Sequence, residues 1–203
     1  MLILLPLNNR IEWRHAPVIT LTLILVNAVI FYALQGNDNK IDEQASKYYF
    51  ESGLAQYESE VYPKFLENQK ENETLLSLQH SIRGLDPVLS AAYLQSYTDL
   101  DYAYQKAITN GRILNISDKL LQNTRKHRQQ YQKILSKSTY RNYSLRPAQP
   151  TWVTFLTHMF LHADSAHLWG NMLFLFLVGF SVETILGGKI FFLMYLGNPP
   201  IIN

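Results

Sequence analysis

Two uncharged apolar runs, set far apart, leave this chain few ways to fold. Eleven of the eighteen residues from Pro17 to Leu34 are Leu, Ile, Val or Phe, and none is charged. That composition meets the length and polarity test for a membrane-spanning helix. At about −0.3 to −0.6 kcal/mol each, such residues favour insertion by roughly 3 to 7 kcal/mol together, enough to absorb Asn27 and two threonines. A cleaved signal peptide is the rival reading, but the run begins at a proline and leads into Gln35-Gly36-Asn37 rather than a small-residue cleavage site. The second run, Leu168 to Val182, is also uncharged, and extended from His167 to Leu186 it holds 20 residues, about 30 Å of helix. A third apolar stretch begins at Ile190 but is interrupted by Pro199-Pro200, and its 14 residues, about 21 Å as a helix, are too few to cross a bilayer as written.

The 115 residues from Gly36 to Pro150 are of another kind. They hold 15 of the 18 Lys and Arg, 13 of the 16 Asp and Glu, and 11 of the 13 tyrosines. This is the composition of a soluble insertion, and with no cysteine in the chain it must rest on its own helices and core. Asp86-Pro87 offers an N-cap and a first helical proline before VLSAAYLQSYTDLDYAYQKAI, with Asn110-Gly111 as the stop. Ser117 caps a polar helix from Asp118, and Gly53 and Pro63 divide an earlier helical stretch. The basic run Arg125, Lys126, His127, Arg128 reads as a solvated helix face, since an insertion with a net charge of only +2 (15 minus 13) carries no nucleic-acid footprint. Asn72, Asn115 and Asn142 head glycosylation sequons by pattern, read here as chance. Arg10 and Arg14 before the first span, against Asp38, Asp42 and Glu43 after it, place the N-terminus in the cytoplasm and the insertion outside it.

The chemistry gathers at the mouth of the second span. His167 and Asn171 are four apart, so on a helix they share a face, with Gly170 beside them thinning its surface. An imidazole N–H and a carboxamide NH₂ turned into a protein interior suit an oxyanion; the competing reading is hydrogen-bonded glue between membrane helices. His158, His162 and His167 form H-x3-H-x4-H, a zinc spacing only if all three converge, and a helix start at Ala163-Asp164-Ser165 breaks their register. His158 and His162 then serve to orient the loop entering the span. Glu183, near the cytoplasmic end, reads as reaching the interface or a cation, or pairing helices.

The stretch THMFLHADSAHLWGNMLFLFLVGFSVETILGGKIFFLMYLG resembles the second transmembrane helix and its approaches in the rhomboid family of intramembrane serine proteases. The matching residues are His158, His162, His167 and Asn171, the segment Gly179 to Glu183, and the turn Leu186-Gly187-Gly188-Lys189. LLPLNNR at the start, Pro17 and Asn27 are also similar to that family. The resemblance implies a six- or seven-helix bundle in which a serine in a G-x-S-G context is activated by a later histidine, while His167 and Asn171 stabilise the oxyanion, without metal or cofactor. No G-x-S-G occurs here, no serine follows Ser181 and no histidine follows His167, so the nucleophile and base are missing from these residues.

The expected fold is an all-α, polytopic membrane protein: an incomplete rhomboid-like bundle with a helical soluble insertion between its first two spans. Its parts are a cytoplasmic N-terminus (1–16), the first span (17–35), the extracytoplasmic insertion (36–150), a loop entering the membrane (151–166), the second span (167–188) and a truncated start of a third (189–203). Its expected setting is a bacterial inner membrane, and its partners the bilayer and transmembrane protein substrates, with no nucleic acid or metal. A rhomboid-like pseudoprotease or scaffold that binds transmembrane helices without cutting is the alternative.

Overall fold

The computed structural model describes residues 17–145 and 150–197, and every regular element among them is a helix. The chain divides into two compact units, Met1–Gly36 with Asn142–Asn203, and Asn37–Arg141. In chain order, α1 is Val18–Val29, continued by a π-helical turn at Ile30–Leu34. The insertion comes next, with α2 (Asp38–Glu51), α3 (Leu54–Gln69), α4 (Asn72–Ile82), α5 (Pro87–Leu100), α6 (Tyr102–Asn110), α7 (Asp118–Leu135) and α8 (Thr139–Tyr143). Then come α9 (Trp152–Thr157), a 3-10 turn at His158–Phe160, α10 (Ser165–Phe174), a second π turn at Leu175–Gly179, α11 (Phe180–Leu186) and α12 (Gly188–Gly197).

Two helical stretches, one beginning at Val18 and the other Ser165–Leu186, are long and apolar enough to cross a membrane. Their sides behave as a lipid-facing surface does. Leu21, Leu25 and Val29 on α1, and Leu173, Phe174 and Val178 on the second stretch, are exposed, while Thr20, Leu23 and Asn27 form the buried stripe of α1. The inverted pattern, polar within and apolar without, is that of a helix in a solvent as apolar as leucine. Asn27 sits at 0% exposure; its amide donates to the Leu23 carbonyl at 2.7 Å and reaches the Tyr195 hydroxyl of α12 at 3.5 Å. Each π turn places one extra residue in its helix and so rotates the remainder of that helix by about 100° relative to an uninterrupted α-helix.

The insertion is built from local signals that tertiary packing overrides at three points. Asp86 caps α5, its carboxylate accepting the Val88 and Leu89 N–H groups, and Gly111 ends α6 with φ +65°. Ser117 accepts the Leu120 N–H at the start of α7. The continuous helix expected from Val88 to Ile108 is broken, however, because Asp101 turns to extended backbone and caps α6 through the Tyr104 N–H at 2.8 Å. Pro63 does not divide a helix either; it lies inside α3. An interior proline costs a helix about 3 kcal/mol, and here its neighbours Val61, Tyr62, Phe65 and Leu66 are all buried in one apolar cluster with Leu78, Leu94, Tyr104 and Ile108. Burying four such side chains outweighs that loss at about 1.5 to 3 kcal/mol each.

The third departure is Arg128, which is no solvated face: it is 2% exposed. Its guanidinium lies 3.3 Å from both oxygens of Glu58, itself wholly buried, and donates to Asp99 at 2.8 Å and to the Thr98 carbonyl at 2.9 Å. Glu58 also accepts the hydroxyls of Tyr49 and Tyr104, one from each of the insertion's two apolar clusters. Burial pushes the Glu58 carboxyl above the usual carboxylate range, although Arg128 pulls the other way. Burial, then the Glu58 charge, raises both tyrosines. The insertion is closed at its ends: the Asp38 carboxylate of α2 accepts the N–H groups of Thr139 and Tyr140 at 2.8 Å each, and Arg141 donates to Asp42 at 2.9 Å.

Candidate functional site

Asp164 caps α10 by accepting the His167 N–H at 2.8 Å, which starts the helix at Ser165 and puts His167 in its first turn. His167, Gly170 and Asn171 then recur at spacings of three and four and lie together on one exposed face. No described atom lies within 4 Å of where a side chain on Gly170 would begin. The expectation of a pair turned into an interior is therefore not met among the described residues, because no described element covers that face.

His162 precedes the cap and is off the helix, as the register break requires, yet it meets His167 through space. The two rings pack edge to face with centroids 5.7 Å apart. His162 is 3% exposed and its Nδ1 has no hydrogen-bond partner among the described residues. Its main chain is held by Gln35 at the end of the first span: the Gln35 amide donates to the His162 carbonyl at 2.9 Å and accepts the His162 N–H at 3.2 Å. Trp169 of α10 donates its indole N–H to the Tyr32 hydroxyl at 3.2 Å, a second tie to the same part of the chain. His158 Nδ1 lies 3.0 Å from the Thr154 carbonyl of its own α9, a bond that selects the Nδ1–H tautomer. His162 and His167 are thus together while His158 is engaged by its own helix, and no group of three His, Cys, Asp or Glu among the described residues is placed to hold a metal ion.

Glu183 pairs the two apolar helices, and no described cation engages it. It is buried, and its carboxylate accepts the Ile19 N–H at 2.9 Å, the Thr20 N–H at 2.7 Å and the Thr20 hydroxyl at 2.7 Å. Pro17 offers no side-chain cap to α1, so an acid from the far end of the second span satisfies the orphan amides and meets the positive end of the helix dipole. Two glycines permit the approach. A Cβ on Gly179 would stand 3.0 Å from the Phe191 ring and 3.1 Å from Thr20 Oγ1, and one on Gly188 would stand 2.9 Å from the Ile19 side chain. Glu183→Ala strands two amides at this helix start and is expected to lower stability by about 2 to 4 kcal/mol. The measure is loss of helicity on titrating denaturing into mild detergent, together with accelerated hydrogen exchange at Ile19 and Thr20; unchanged exchange there would refute the capping role.

Sequence reasoning missed Gln35, Tyr32 and Thr20. All lie in the first span or at its end, and nothing in their local spacing marks a partner more than 120 residues away.

Residues 149–199, about a quarter of the chain, match the family model of the rhomboid domain. No curated protein and no solved structure was found to match. The matched segment contains His158, His162, His167, Gly170, Asn171 and Glu183, so the similarity to the rhomboid domain takes in the candidate site and the second of the two long apolar helices.

Proposed function

We propose that these 203 residues form the N-terminal part of a rhomboid-type intramembrane serine endopeptidase, contributing the oxyanion-stabilising half of its active site. The observation that carries this reading is the rhomboid match over 149–199, within which His167, Gly170 and Asn171 share one open helix face. When a serine attacks a peptide carbonyl, negative charge develops on the oxygen, and two preorganised N–H donors stabilise it more in the transition state than in the ground state. His167 and Asn171 are those donors. The serine and its histidine base come from helices outside these residues, packed over the open face.

In this reading the N-terminus is cytoplasmic, the insertion is extracytoplasmic and acts as a lid or substrate-recruiting element, and the clients are transmembrane or membrane-proximal protein segments. Reading the gene beyond codon 203 for a G-x-S-G span and a later intramembrane histidine is the first test. Purified as these 203 residues, the chain is expected to take up no serine-directed fluorophosphonate, whereas a form extended through those spans labels. Labelling of the short chain sinks the claim that its nucleophile is missing. A folded, extended form that does not label points instead to a pseudoprotease that binds transmembrane helices without cutting them.

A further inference from the structure

We infer that Gln35 is a positioning residue for His167, acting through His162. The inference rests on the oxyanion reading for its functional meaning, but its structural content stands on the contacts alone. Gln35 closes the π turn of the first span, its own N–H donating to the Ile30 and Phe31 carbonyls at 3.1 and 3.2 Å, so its position is fixed by that helix. Its side chain then makes the reciprocal pair with the main chain of His162, 127 residues away.

A carboxamide donates from its nitrogen and accepts at its oxygen, so one Gln35 side chain holds both peptide units that flank the His162 Cα. With its main chain clamped at both N–H and C=O, the buried His162 ring packs edge-on to His167. His167 is exposed, so an imidazole in the first turn of α10 owes its orientation to the ring packed beside it. An oxyanion donor works only if held close to its productive geometry, which makes the shell behind it consequential.

The chain itself allows the test. In detergent micelles with labelled histidines, the wild type is expected to show cross-relaxation between the His162 and His167 rings and a His167 ring signal displaced from that of a free histidine. Gln35→Met, similar in size but unable to hydrogen-bond the His162 N–H and C=O, should abolish the cross-peak and return His167 to the free position. The amide signals of Ile19 and Thr20, capped by Glu183, report whether the spans still pair. Unchanged His167 signals in a paired Gln35→Met chain overturn the inference. If that variant does not pair, Gln35→Asn, which withdraws the carboxamide by one methylene, is read by the same signals and the same rule.

In a catalytic form, Gln35→Met should lower kcat about tenfold at unchanged KM, and have no further effect once His167 is already Ala. Costs that simply add overturn the route through His167. If His167→Ala leaves turnover untouched, the oxyanion reading has failed, while the ring contact in the micelle spectra still decides the clamp.

Discussion

Arg128→Met is expected to destabilise the insertion by about 3 to 5 kcal/mol, because it leaves two carboxylates facing each other in a dry core. Glu58 has no exposure to water, and Asp99 is largely buried. With the guanidinium gone, Glu58 keeps the hydroxyls of Tyr49, Tyr104 and Thr98, and Asp99 keeps the Tyr131 hydroxyl at 2.6 Å and the more distant Arg141 at 3.6 Å. The apolar replacement cannot repay their desolvation. Lys126→Met, two positions away on the exposed side of α7, should fall within about 0.5 kcal/mol of wild type. Near-ultraviolet circular dichroism reads the difference well, since 11 of the 13 tyrosines lie between Gly36 and Pro150. A thermal midpoint for Arg128→Met no lower than that for Lys126→Met would show that the ionic web is incidental. Removing Glu58, Arg128 and Asp99 together for apolar residues of matched volume should recover much of the loss, since an intact buried pair adds little net stability.

Asn171→Ala, made in a form that carries the serine and histidine spans, is expected to lower turnover by about 100-fold while KM changes little. The side chain is exposed on α10 and bonds to no other described element, so its truncation removes a donor without disturbing the packing of the described helices. In this respect it differs from Glu183, whose loss acts on the pairing of the spans. Near-normal turnover would return Asn171 and His167 to helix glue, which the thermal midpoint of the same variant would then register.

What could be read in the sequence was local. Asp86 before Pro87, Asn110-Gly111, Ser117 and Asp164 announce helix ends because capping is settled within four residues. His167 and Asn171 share a face by spacing alone. Arg128 could not be placed from its neighbours, because Arg125, Lys126 and Arg128 differ only in which side of α7 meets the core, and that is decided by Glu58 in α3 and Asp99 in α5. Pro63 misled for the same reason: its cost is local and its compensation is not. Gln35 lies one residue beyond an apolar run and looks like punctuation until His162 is folded against it.

The closure of the insertion by Asp38 reaches beyond that unit. A loop of 115 residues that wandered freely would hinder the meeting of the two spans by roughly 3 kcal/mol more than a tight connection of a few residues, on the logarithmic scaling of loop entropy. With its first helix bonded to its last, the insertion has two neighbouring ends, and in chain connectivity it counts as a short turn. Such a module can be lengthened, exchanged or deleted between those ends at little entropic cost to the pairing of α1 with the second span.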